Sequence, residues 1–216
     1  MERNNRKIGF FSGLFGLLGI AAAVFGICLT LNNRDAGPVL VEQPEAARIR
    51  VQTMMDAMVA GEYETVSTCL YGQPDLGLDR AAQGEVGQMF WQALSESFRW
   101  EQKGDFHATD SGVALDVMIT AMDLDAVTAN LRQRSQALLE QRVAAAEDAS
   151  EIYDENNEYQ ETFVMNVLCD AAREALEQDR KEISWELTLN MIYENGQWWI
   201  MPEAKLLEAL SGGILK

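Results

Sequence analysis

Histidine is nearly missing from this chain: His107 is the only one in 216 residues, beside three cysteines and four prolines. A zinc centre draws three or four ligands from His, Cys and carboxylates brought close together. One histidine and two cysteines far apart in sequence, Cys69 and Cys169, supply no such set, and no cofactor is expected. A Ser-His-Asp arrangement would have to recruit the same His107, and no nucleophile-elbow sequence is present. A phosphate-binding glycine loop and a dinucleotide fingerprint are missing too. Basic residues are scarce: 17 Lys and Arg stand against 34 Asp and Glu, a formal net charge of −17. A phosphate backbone repels such a surface, which argues against nucleic acid as a partner.

Charge is also missing, locally, from Ile8 to Leu31, and Arg3, Arg6 and Lys7 stand just before that stretch. At about 1.5 Å per residue, roughly 20 apolar residues cross a bilayer core, so the stretch is long enough to span it. The basic cluster would stay in the cytoplasm, placing everything after Leu31 on the outer face. A cleaved secretory signal would have a shorter apolar core and a small-x-small site at its end. Here the Ala21-Ala22-Ala23 site lies inside the run. Ile27, before Cys28, is not the small residue that a lipoprotein signal needs. The expected organisation is a cytoplasmic tail (1–7), a single-pass anchor in the cell membrane (8–31), a linker (32–43) and an extracytoplasmic domain (44–213). Gly9 and Gly13 form a small-xxx-small pair within the span. Beyond Leu31, 14 basic residues face 33 acidic ones, so the outer part is more acidic than the whole.

Pro44 suits a first helical turn, and Ala47, Val51, Met54, Met55, Met58 and Val59 follow at helical spacing up to Gly61. Tyr63, Val66 and Leu70 predict a shorter helix, and Val86, Phe90, Leu94 and Phe98 a third. The period then changes to two. Val113, Leu115, Val117, Ile119 and Ala121 alternate with Ala114, Asp116, Met118 and Thr120. Turn residues at Thr109-Asp110-Ser111-Gly112 make the segment from Trp100 to Ala108 its partner strand, with an irregular edge around Gln102 to Asp105. A second hairpin joins Ile183, Trp185, Leu187, Leu189, Met191 and Tyr193 through Asn195-Gly196 to Trp198–Met201. Between the hairpins lie two expected helices, the first capped by Asp123 with Leu124, Val127, Leu131, Leu138 and Val143 inward. The other carries Phe163, Val167, Leu168, Ala171 and Ala175. Leu206, Leu207 and Leu210 predict a short closing helix before Gly212-Gly213.

This order of three helices, a hairpin, a crossover and a final hairpin resembles the cone of the nuclear-transport-factor-like superfamily, also described as cystatin-like or ketosteroid-isomerase-like. Two local patterns carry the likeness: Gly61-Glu62-Tyr63-Glu64 through Leu70, and Gly196-Gln197-Trp198-Trp199-Ile200 with Leu206, Leu207 and Leu210. The latter pattern is similar to the end of uncharacterised exported domains of Gram-positive bacteria. The resemblance implies an α+β fold: a transmembrane helix, then a curved antiparallel sheet of two hairpins packed with helices. The segment 124–180, long for the basic cone, would be a two-helix insertion. Enzymes of that superfamily place an Asp or His in the mouth of the cone, and no position here matches such a motif.

Four groups of residues are nominated. Met54, Met58, Phe90, Met118 and Met191 are adaptable apolar side chains suited to a ligand pocket, and equally to an ordinary core. Trp198 and Trp199 fall on opposite sheet faces, so one joins the core and the other is a partner contact or packs under the crossover. Cys69 and Cys169 are either a disulfide or two buried thiols. Asp154, Asn156 and Glu158 begin like a calcium loop, but Tyr159 and Met165 occupy the positions of the required glycine and bidentate acid. These readings point to a non-catalytic domain that recognises a protein or small ligand at the envelope. The alternatives are an isomerase- or dehydratase-like enzyme with His107 as base, and a structural subunit of a membrane assembly.

Overall fold

A computed structural model describes residues 44–215. The tail, the apolar run Ile8–Leu31 and the linker lie outside them, and no helix among the described residues is long and apolar enough to cross a membrane. The first helix, α1 (Pro44–Ala60), begins on proline, whose fixed φ suits a first turn. It ends at Gly61, whose φ of +73° turns the chain. Ala47, Val51, Met54, Met55 and Met58 form its buried stripe. Val59, expected in that stripe, is 52% exposed because it falls one residue past the covered face.

A short helix α2 (Tyr63–Cys69) follows. Its Tyr63 explains why the Gly-acid-aromatic run matters. The ring meets Trp91 edge to face at 5.4 Å, and the hydroxyl lies 2.8 Å from the Trp91 carbonyl and 2.7 Å from Ser95 Oγ. Tyr63 thereby fastens α2 to α4 (Glu85–Ser97). An additional one-turn helix, α3 (Leu78–Ala81), stands between them. Asp75 shapes that segment by accepting from the Gly77 N–H and pairing with Arg80.

The sheet holds five strands: β1 (Arg99–Gln102), β2 (His107–Ala108), β3 (Gly112–Met122), β4 (Glu182–Glu194) and β5 (Gln197–Ile200). Their spatial order is β1-β3-β4-β5, with β2 continuing the β1 edge beside β3. All pairings are antiparallel. The expected partner strand is thus split by an irregular stretch at Lys103–Phe106. The tight turn before β5 has φ of +54° at Asn195 and +83° at Gly196, the left-handed pair that a two-residue hairpin requires.

Register fixes the two faces. Leu115 opposes Leu189, Val117 opposes Leu187 and Ile119 opposes Trp185, and all six are buried against the helices. The opposite face is polar. Asp116 accepts from the Thr188 hydroxyl, Thr120 bonds Ser184, and Arg99 forms a two-pronged pair with Glu182. Ile183 and Tyr193 share the inner phase but lie at the two ends of β4, where they are exposed.

Segment 124–180 separates β3 from β4 without interrupting their pairing. It holds α5 (Leu124–Ala129), α6 (Leu131–Ala145), a 3-10 turn (Ala149–Glu151) and α7 (Glu161–Gln178). The expected first helix is therefore two helices, divided at Asn130. Asp123 caps α5 by accepting from the Ala126 N–H. Leu138 and Val143 are half-buried rather than inward, since α6 buries only Leu131 and Ser135. Polar bridges hold α6 to α7. Arg134 reaches Asp179 at 2.8 Å, Gln178 at 2.7 Å and Glu174 at 3.5 Å, and Arg142 pairs with Asp170.

The closing helix α8 (Ala204–Leu210) buries Leu206, Leu207 and Leu210. Packing continues past the expected end at 213, for Leu215 is buried and its N–H donates to Ser211 Oγ. The Gly212 carbonyl accepts from the Leu124 and Asp125 N–H groups, tying the C-terminal turn to the base of the insertion.

Candidate functional site

Four of the five nominated pocket residues lie in the interior. Met54, Met58, Phe90 and Met191 are buried members of one continuous hydrophobic core with Leu94, Leu115, Ile119 and Leu189. Met118 does not join them. It shares the phase of Asp116, so it stands half-buried on the outer sheet face, opposite Glu101 on one side and Glu186 on the other.

The tryptophan pair divides as alternation requires. Trp198 opposes Tyr193 on the inner face and is only 3% exposed, and its Nε1 has no hydrogen-bond partner among the described residues. Trp199, on the outer face, is half-buried at the β5 edge and donates its Nε1–H to the Glu194 carbonyl at 3.3 Å. The Arg50 guanidinium sits 5.4 Å from its ring centroid, and Tyr71 meets it edge to face at 6.5 Å. Those partners secure α1 and the chain after α2 against the sheet edge, and Tyr71 adds a backbone bond to the Ile200 carbonyl.

His107 occupies β2 opposite Ala114 and is exposed on the outer face, not turned into the core. Cys69 and Cys169 are two buried free thiols rather than a bridge. Cys69 lies on α2, 4.0 Å from the Arg50 guanidinium, while burial and then the nearby Glu85 carboxylate raise the Cys169 thiol above its ordinary range.

The run resembling a calcium loop is a closed turn. The Asp154 carboxylate accepts from the Asn156 and Glu158 N–H groups at 2.9 and 2.8 Å, and these bonds hold its pKa below the usual carboxylate range. The Glu158 carbonyl in turn accepts from the Asp154 N–H. Among the described residues no three His, Cys, Asp or Glu side chains converge to hold a metal ion.

The turn displays a feature that sequence reading missed. Tyr153 and Tyr159 bridge its base and stack at 5.2 Å, with 26° between their planes. Phe163, on the first turn of α7, stacks on Tyr159 at 6.2 Å and 17°. The three rings form a ladder at the end of the insertion, and Tyr159 remains 39% exposed. Burial, then a hydrogen bond with Tyr153, and the charges of Tyr153 and Glu140 raise the Tyr159 phenol above its ordinary range, so it is neutral at pH 7. The available signal was one aromatic on each side of a short acidic run, an arrangement that helical or strand periodicity does not register.

Comparison of the chain with family models, with curated proteins and with solved structures found no match in any of the three.

Proposed function

We propose that the chain is a single-pass, membrane-anchored protein whose outer domain recognises a protein partner at the cell envelope without catalysis. The observation that carries this reading is the apolar, methionine-lined interior. Four of the five side chains suited to line a ligand pocket are consumed in the core, while the ordered aromatic surface lies outside it, on the insertion. The sole histidine, which an isomerase-like mechanism would need as base, stands on the exposed sheet face away from that interior. The antiparallel sheet with its long first helix suits the nuclear-transport-factor-like cone, with 124–180 inserted between the hairpins. The uncharged run Ile8–Leu31 behind Arg3, Arg6 and Lys7 supports the anchor and its orientation.

Two measurements on the full chain test the proposal. Protease added to intact cells is expected to digest the domain after Leu31; protection of that domain overturns the orientation. Crosslinking in the native membrane is expected to recover one saturable protein partner. Turnover of a metabolite that disappears in His107→Ala, with no partner recovered, establishes the enzyme reading instead.

A further inference from the structure

We propose that Asn195 is a site of spontaneous deamidation whose pace is set by the Arg50–Trp199 clasp on the β5 edge. The reaction uses the chain's own backbone and solvent, and it needs no partner.

Asn195-Gly196 is the only Asn-Gly step in the chain. Both residues are exposed at the tip of the β4–β5 hairpin, and a Cβ added at Gly196 would meet nothing within 4 Å. Among the described residues neither the Asn195 carboxamide nor the Gly196 N–H has a hydrogen-bond partner. Nucleophile and electrophile are therefore adjacent, unshielded and free to move. The Gly196 nitrogen, having given its proton to hydroxide, bonds to the Asn195 Cγ, and the side-chain nitrogen leaves as ammonia. Water then opens the cyclic imide at either carbonyl, leaving aspartate or isoaspartate. One water is consumed, one ammonia is released, and nothing is oxidised or reduced.

The other asparagines of exposed turns lack this freedom. Attack on Asn156 would use the Asn157 nitrogen, whose N–H donates to the Asp154 carbonyl at 3.0 Å. Attack on Asn157 would use the Glu158 nitrogen, whose N–H is held by the Asp154 carboxylate at 2.8 Å. In both cases the attacking residue also carries a side chain that crowds the approach.

At Asn195 the restraint lies in the hairpin. Ring closure needs the Asn195 ψ to leave the left-handed region to which its φ of +54° belongs, so it draws on moments when the turn opens. Opening is resisted on both sides of the dipeptide. The Trp199 Nε1–H donates to the Glu194 carbonyl at 3.3 Å, and Arg50 donates to the Gln197 Oε1 at 3.1 Å. The guanidinium lies 5.4 Å from the Trp199 ring centroid and joins the two restraints. Conversion works against them in turn. Isoaspartate adds a methylene to a two-residue loop whose length fixes the register of β4 on β5.

The test holds the full chain, in detergent micelles, in mildly alkaline buffer and follows it by peptide mass mapping. The peptide spanning Asn195 is expected to gain one mass unit before those carrying Asn156 and Asn157, and to separate into aspartate and isoaspartate forms. Trp199→Phe keeps a ring and removes the donor. It is expected to speed conversion by about two- to tenfold, the share of one hydrogen bond in an opening equilibrium. Arg50→Gln is expected to act in the same direction, and the parent unfolded in urea to convert fastest. Circular dichroism checks the fold of each variant, and the unfolded parent needs none. An Asn195 that keeps its amide while Asn156 or Asn157 converts overturns the site. Equal rates in the native and unfolded parent, or rates unchanged by both substitutions, overturn the role of the clasp.

Discussion

The sheet with its covering helices and the outer part of the insertion are stabilised by different physics. The body is apolar contact: Met54, Met55, Met58, Leu94, Leu115, Ile119 and Leu189 are removed from water almost completely. Burial of such a side chain contributes about 1.5–3 kcal/mol and is not screened by salt. The α6 side of the insertion has little of this. It rests on α7 through Arg134 and Arg142 reaching carboxylates, and its tip is ordered by one aspartate and three rings. Partly exposed ion pairs are weaker and screened by salt. With fewer buried apolar contacts, the α6 side is expected to open more readily than the body.

The largest effect that would test this contrast is a cavity in the body. Met54→Ala, at the centre of α1, is expected to cost about 2–5 kcal/mol and to lower the single thermal midpoint of body and insertion together. A loss confined to α1 exchange protection would show that the body is not one cooperative unit.

Next comes the seam between the two regions. Gly212 has a φ of +60°, and a Cβ there would lie 2.6 Å from the Met122 carbonyl and 3.0 Å from a Leu94 methyl. Gly212→Ala is expected to cost roughly 1–3 kcal/mol through strain and displacement, with the Leu124 and Asp125 amides exchanging first. Uniform loss across the protein would place the seam inside the body.

Arg134→Ala is expected to be milder and local, about 1–2 kcal/mol, read as faster hydrogen exchange in α6 and the end of α7 with the sheet unaffected. High salt should reproduce part of it. If salt and the substitution leave α6 unchanged, its half-buried leucines matter more than its ion pairs.

The smallest effect is at the tip. The Asp154 carboxyl titrates lower in the folded chain than unfolded, so its contribution is present above the unfolded value near 3.9. That contribution is lost as pH falls through the depressed folded value. NMR of the Asn156 and Glu158 amides should show the turn loosening in that acid range, and Asp154→Ala should abolish the step. Amide shifts that stay constant through it would assign the order of the turn to the tyrosine stack alone.

Much of the fold was legible because its causes are local. Asn195-Gly196 demanded its turn, Asp123 its cap, Gly61 its break, and the period-two stretch of β3 its buried odd residues. The same alternation already set Met118 beside Asp116, against its nomination as a pocket residue. The site was less legible. Val59 continued a stripe by residue type, yet whether a helix face is covered depends on what packs there. The hydropathy of Leu138 and Val143 likewise gave no sign that α6 would be covered on so narrow a strip.

What the sequence determined by itself is therefore the kind and order of the elements, the charge of the surface and the two phases of each strand, since these arise from residues within a few positions of one another. Only the tertiary structure decided that Trp198 is enclosed, that Trp199 is clasped by Arg50 and Tyr71, and that Tyr153, Tyr159 and Phe163 stack in a row. Those outcomes depend on which separate segments meet, and a side chain's exposure is set by its neighbours in space rather than along the chain.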